Sequence, residues 1–185
     1  MLTPFQHKKQ THFFNLIDVD SNGYLEPKDW INIGQRLAKL RGTVDGSAEQ
    51  KEILSAAGKL WEDLSQYIEG ESPNRANLEE WLKFVDEKIA NAEEAFYDQY
   101  VNVVVKGVFA IMDEDKDGVI ENREYSEFMH SFGMSESATK VAFSKMDQNG
   151  DGTLDESELI KSVGEFFRSD DSVSAGNWLF GPIMQ

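Results

Sequence analysis

The 185-residue chain is 40% hydrophobic and 28% charged, a balance expected of a soluble globular protein with one substantial core or two small lobes. Its formal net charge of −16, from 34 acidic against 18 basic residues, opposes contact with nucleic-acid phosphates or anionic lipid, and no basic stripe offsets it. With no cysteine, disulfides, thiol nucleophiles and thiolate metal sites are excluded. The first ten residues lack a hydrophobic signal core, Leu2 rules out myristoylation, and no apolar run is long enough to span a bilayer. A cytoplasmic protein is expected.

Thr3-Pro4 reads as an N-cap followed by proline at the first helical position, opening a helix to about Ile17. That helix runs into Asp18-Val-Asp-Ser-Asn-Gly-Tyr-Leu-Glu-Pro-Lys-Asp29, which fits a twelve-residue calcium loop. Its ligands would be Asp18, Asp20 and Asn22, the carbonyl of Tyr24, Glu26 directly or through water, and Asp29. Pro27 starts the exiting helix, where early N–H groups have no partner anyway. Asp29 stands where glutamate is usual and is one methylene shorter, so weaker calcium selectivity and tolerance of octahedral Mg²⁺ are expected.

Trp30, Ile31, Ile33, Leu37 and Leu40 mark an amphipathic helix ending near Arg41-Gly42, and Ser47 caps the next after a short linker. There Ile53, Leu54, Ala57, Leu60, Trp61, Leu64, Tyr67 and Ile68 recur at helical spacing. Glu69 to Glu80 aligns as a second, degenerate loop, with Glu69 at its first position, Pro73 at the fifth and Asn74 in place of the turn glycine. Such a loop should lose its turn and bind nothing, and Glu80 reads best as a capping-box partner of Asn77.

A long helix to Met112 follows; its run Val103–Val105 would suit a strand, but its place before a loop argues for helix. The stretch Asp113-Glu-Asp-Lys-Asp-Gly-Val-Ile-Glu-Asn-Arg-Glu124 then fits the loop at every ligand position. Asp113, Asp115 and Asp117 aim carboxylates at one point, Gly118 makes the sharp turn, Val119 offers a carbonyl, Glu121 follows, and Glu124 supplies the bidentate carboxylate. Tyr125, Phe128, Met129 and Phe132 face inward on the exiting helix, and Ser135 caps the next. The last loop, Asp147 to Glu158, offers Asp147, Asn149, Asp151, the Thr153 carbonyl, Asp155 and Glu158, with its turn at Gly152. Outside the loops the pattern repeats: Phe14, Phe109 and Phe143 stand four residues before them, Ile17, Met112 and Met146 one before, and Leu25, Ile120 and Leu154 at position 8. Ile120 and Leu154 are expected to pair across a short β-bridge.

Taken together, the chain resembles the four-EF-hand sarcoplasmic calcium-binding proteins, with calexcitin and calerythrin among their relatives. The resemblance rests on complete first, third and fourth loops, a degenerate second, Asp29 at position 12 of the first, and the tail Gly176-Asn-Trp-Leu-Phe-Gly181. It implies an all-α fold of four helix-loop-helix units in two pairs forming one compact body, with short β-bridges between paired loops. The expected division is an N-terminal pair at 1–92, a C-terminal pair at 93–168 and a tail packing on the body at 169–185.

The function expected is non-enzymatic calcium buffering by a monomer with three sites and competition from Mg²⁺. A sensor that opens an apolar groove onto a protein target is the alternative; it favours a Met-rich groove, for which only Met129 and Met134 remain. A carrier of a coelenterazine-type ligand is a third reading, since the chain has many aromatics, but it has only His7, His12 and His130. Neither a Ser/His/Asp arrangement nor an open zinc site emerges.

Overall fold

Thr3 closes a capping box with Gln6 and Pro4 takes the first helical position, so α1 (Pro4–Ile17) starts where the sequence marks it. The computed structural model describes residues 1–66, 68 and 74–183 of the chain. The short strand β1 (Tyr24–Leu25) leads into α2 (Pro27–Leu40), and Ser47 accepts a hydrogen bond from the Gln50 amide at the start of α3 (Ala48–Ser65). Next come β2 (Ala76–Asn77) and α4 (Leu78–Phe84), which widens into a π-helical turn over Val85–Ala90. The second half holds α5 (Glu94–Met112), β3 (Ile120–Glu121), α6 (Asn122–Ser131), α7 (Glu136–Met146), β4 (Thr153–Leu154) and α8 (Glu156–Arg168). Residues 103–105 are helical; the side chains of Phe96, Tyr100, Val103 and Val104 lie outside the described residues, as do Tyr67 and Glu69 to Pro73.

Two small antiparallel bridges organise the loops. Leu25 faces Ala76 in one, and Ile120 faces Leu154 in the other, the pairing expected from position 8. Leu25, Ala76, Ile120 and Leu154 are all buried, so each bridge is anchored in the core rather than held by two strand residues alone.

The apolar stripes of the helices meet in one interior. Along it, α2 packs on α3 and reaches α6, α3 lies on α5, and α1 lies on α4 and α8. Phe13 sits at the crossing: its ring is 5.4 Å from Trp81 of α4, 6.2 Å from Phe166 of α8 and 4.5 Å from Phe180 of the tail. Burying one such ring contributes about 1.5–3 kcal/mol, so substituting Phe13 would loosen three segments at once.

Polar contacts fasten the tail. Lys9 is fully buried, and its ammonium donates to the carbonyls of Glu165 (3.0 Å) and Ser169 (2.7 Å) at the end of α8, where a cation complements the helix dipole. It also reaches Asn177 Oδ1 at 3.2 Å, in the 3₁₀ turn Ala175–Trp178. The Gly176 amide donates to Glu165 Oε2 (2.8 Å), and a ring nitrogen of His12 lies 2.8 Å from the Phe180 carbonyl. Leu179 is buried and Phe180 packs on Phe166. Met129 is buried and Met134 packs partly buried against the core. In this structure Met129 lines the apolar interior and Met134 packs at its edge.

Candidate metal centre

Each complete loop curls through two left-handed residues, at its fourth and sixth positions. They are Ser21 and Gly23 (φ 56° and 84°), Lys116 and Gly118 (62° and 88°), and Gly150 and Gly152 (74° and 87°). Ser21 and Lys116 carry a Cβ in a region that ordinarily disfavours one, so the loop's other bonds must hold them there. The curl turns backbone amides onto the first carboxylate. Asp18 accepts from the amides of Asn22 and Gly23 at 3.0 and 2.8 Å, and Asp113 from those of Asp117 and Gly118, both at 3.1 Å.

In the first loop, oxygens of Asp18, Asp20 and Asp29 lie within 4.8 Å of one another. Asp29 is fully buried; its Oδ2 accepts from the Glu26 amide at 3.0 Å, while its Oδ1 is buried with no hydrogen-bond partner. Burial pushes this carboxyl up to about 6, against the Glu26 amide bond, and the nearby charges of Asp20, Asp18 and Glu26 push the same way. A buried carboxylate oxygen without a donor is costly, and a cation among these carboxylates would satisfy it. The residues present therefore fit a divalent ion. One feature opposes it: Lys28, at position 11, pairs with Asp20 at 2.8 Å and Glu26 at 2.5 Å and holds the Asp20 carboxyl below its usual range. Asn22 accepts from the Tyr24 amide through Oδ1, and its Nδ2 donates to Glu26.

The third loop gathers Asp113, Asp115 and Glu124 in the same way. Glu124 is buried; its Oε1 accepts from the Glu114 amide at 2.7 Å and its Oε2 from the Glu121 amide at 3.0 Å. Asp117 accepts from the Val119 amide. Arg123, the counterpart of Lys28, turns away to Glu114 and Glu127 and does not pair with Asp113, Asp115 or Glu124.

The fourth loop is more open. Glu158 Oε1 is held by the amides of Gln148 and Asn149 at 3.2 and 3.3 Å, and Asp147 accepts from Gly150 and Gly152. Asp151 takes amide and hydroxyl bonds from Thr153, which lower its pKa, and Asp155 caps α8 through the Glu158 amide. Among the described residues its carboxylates do not draw together as those of the first and third loops do.

The second loop corrects one expectation. Asn74 adopts φ 65°, so the left-handed turn at position 6 is kept, because asparagine tolerates that region better than other residues with a Cβ. Asn77 and Glu80 do form a capping box, with bonds of 2.8 and 3.0 Å. The same box joins positions 9 and 12 in the other three loops, so it marks the fold of the loop and not a vacant one.

Between the loop pairs lies an apolar cavity of about 80 Å³, bordered by Phe13, Trp30, Trp81, Phe128 and Leu179 among others. The indole N–H groups of Trp30 and Trp81 are buried without a partner.

Residues 104–129 and 140–163 match the family model described as EF hand. Calerythrin of Saccharopolyspora erythraea is 30% identical over 153 residues, 83% of this chain and 86% of calerythrin. The chain belongs to the calerythrin family of EF-hand calcium-binding proteins. This calerythrin relative shares its fold with a coelenterazine-binding protein from Renilla muelleri (TM-score 0.81, 20% identity, 97% of this chain and 99% of that one). It also shares it with a sarcoplasmic calcium-binding protein from amphioxus (TM-score 0.72, 20% identity, 98% and 99%). The all-α, four-unit EF-hand body expected from the resemblance is the fold observed. Among the described residues, no helix is long and apolar enough to cross a membrane.

Proposed function

We propose that the protein is a cytoplasmic, monomeric calcium buffer with three unequal sites, in the loops at 18–29, 113–124 and 147–158. The ligands assigned are Asp18, Asp20, Asn22, Tyr24, Glu26 and Asp29; Asp113, Asp115, Asp117, Val119, Glu121 and Glu124; and Asp147, Asn149, Asp151, Thr153, Asp155 and Glu158. Tyr24, Val119 and Thr153 act through their carbonyls. The pairs 1–92 and 93–168 and the tail from 169 are read as the working parts. The first site, with the shorter Asp29 and the competing Lys28, is the one where Mg²⁺ competes best.

The observation that carries buffer over sensor is the burial of Leu179 in the interior, with the partly buried Phe180 packed on Phe13 and Phe166. A sensor needs an apolar groove free to take a target helix; here the chain's own tail fills that place. Calorimetric titration with Ca²⁺, with and without millimolar Mg²⁺, should return three sites. A hydrophobic dye should gain little fluorescence on calcium addition; a large gain would favour the sensor.

A second reading starts from the cavity. Its apolar wall suits an apolar ligand and one structural neighbour is a coelenterazine-binding protein, but at about 80 Å³ the cavity would have to widen several-fold to hold such a molecule. Saturable quenching of tryptophan emission by coelenterazine at one equivalent would establish it, and no quenching would remove it.

A further inference from the structure

Arg41 belongs to the first EF-hand, yet its side chain serves the third. It is the C-cap residue of α2, the helix whose first turn carries Asp29. Its side chain is 5% exposed, and Nη2 donates to the carbonyl of Met112 at 2.8 Å. Met112 is the last residue of α5 and immediately precedes Asp113. On the other side of the guanidinium, Nε lies 3.8 Å from Glu114 and 3.9 Å from Glu127, and it is buried with no hydrogen bond.

Glu114 is itself one bond from the third ligand set, since its amide donates to Glu124 Oε1. Arg123 closes the group from the solvent side through the same two glutamates, at 2.6 and 3.2 Å. A second tie runs parallel: Arg36 Nη1 donates to the Ser131 carbonyl at the end of α6, at 3.3 Å. The 14-residue helix α2 thus spans about 20 Å from one ligand set to the joint of another.

The open fork is the informative detail. A gap near 3.8 Å is beyond hydrogen-bond reach, and a movement of under ~1 Å would close it. A buried guanidinium nitrogen favours that closure, because leaving it unsatisfied is costly. A small shift of α2 against α5 and α6 would turn this open contact into a closed one. A contact that can exist in two such arrangements is what inter-site coupling requires.

We propose that Arg41 is a positioning residue for the third calcium loop and that, through α2, it couples the first site to the third, so that filling one tightens the other. This rests on the reading that both loops bind calcium. The first site's Asp29 and the third site's Met112–Glu114 joint are the two ends of the lever, and the guanidinium fork is its contact point.

The test is a Ca²⁺ titration followed by ¹H–¹⁵N NMR, reading each loop from its own glycine amide: Gly23, Gly118 and Gly152. In the unmodified protein, Asp29→Asn should weaken the Gly118 transition about fivefold, the low end of typical couplings. In an Arg41→Gln background the Gly118 transition should already be weak, and Asp29→Asn should change it no further. Arg41→Lys keeps the charge but lacks the fork, so it should also lose the coupling while melting close to the parent. Rescue of the coupling by lysine would show that charge alone matters and would overturn the proposal, as would an unchanged Gly118 transition in the Asp29→Asn protein. Failure of Gly118 to respond to Ca²⁺ in the unmodified chain would instead remove the third site itself, and the coupling with it.

Discussion

The Tyr125 hydroxyl donates to the Leu179 carbonyl at 2.9 Å, and both residues are buried. Burial alone pushes this phenol well above its ordinary pKa. Tyr125 directly follows Glu124, so the tail is pinned beside the last of the ligands proposed for the third loop. Tyr125→Phe would leave a buried carbonyl unsatisfied and should cost about 1–3 kcal/mol. Urea denaturation of the calcium-saturated protein measures that cost, and an unchanged midpoint would mean that the bond contributes nothing.

Gly176 tests how closely the tail must approach. A methyl group there would fall on the Ser162 carbonyl oxygen and come within 2.6 Å of Glu165 Cβ. Because backbone atoms stand in the way, Gly176→Ala should lift the 3₁₀ turn from α8, raise hydrophobic-dye binding and lower the melting temperature. Parent-like dye binding would show that the tail can dock elsewhere.

Lys28 neutralises two assigned ligands of the first loop, whereas Arg123 spares those of the third. Such exposed pairs are screened by solvent and weak. Lys28→Ala should therefore tighten the first site by only about a few-fold, read in calorimetry, while the fourth loop's transition stays in place.

Chelation should destabilise the fold. The unfolded chain cannot present converging loop oxygens, so each site filled at a free concentration of 100 times its Kd adds about 2.7 kcal/mol. Scanning calorimetry with EDTA and with excess Ca²⁺ checks this: melting should rise with calcium, and coincident curves would contradict the assigned sites.

Lys9 gives a pH dependence. Desolvation pushes its pKa down to about 8, against the opposing pull of Asp170 and Glu165, from an ordinary 10.5. Below pH 8 both states carry the proton, and the cost of the buried charge is present in full. From about 8 upward the folded state releases the proton first, the unfolded state binds more, and stability rises with pH. Raised tyrosines such as Tyr97, pushed to about 12, act in the opposite direction only above pH 10. Between pH 8 and 10, the parent should gain stability relative to Lys9→Met; a flat difference would mean that Lys9 stays charged throughout.

Much of this was legible because the calcium loop is a local device. Glycine at position 6, carboxylates at odd positions and the apolar residue at position 8 act within twelve residues, so Gly118, Asp113 and Ile120 could be placed without knowing the fold. The turn at Asn74 was misjudged because a missing glycine was equated with a missing left-handed residue. The contacts of Lys9 and Arg41 were not legible at all. Lys9 meets Asn177 across 168 positions and Arg41 meets Met112 across 71, and no periodicity in a single sequence encodes such meetings. The π-helical turn at Val85–Ala90 also has no composition signal that separates it from ordinary helix.

The pairing of α1 with the tail also bears on how the protein is made. His12 meets the Phe180 carbonyl 168 positions later, and the Phe13 ring packs tilted against the same residue. On the ribosome α1 can meet Trp81 of α4 early, but the part of its aromatic face that packs on α8 and the tail stays uncovered until almost the whole chain has been synthesised. The early hands can fold locally, but the interior is sealed only near release, so nascent chains stalled before residue 176 should be the aggregation-prone species.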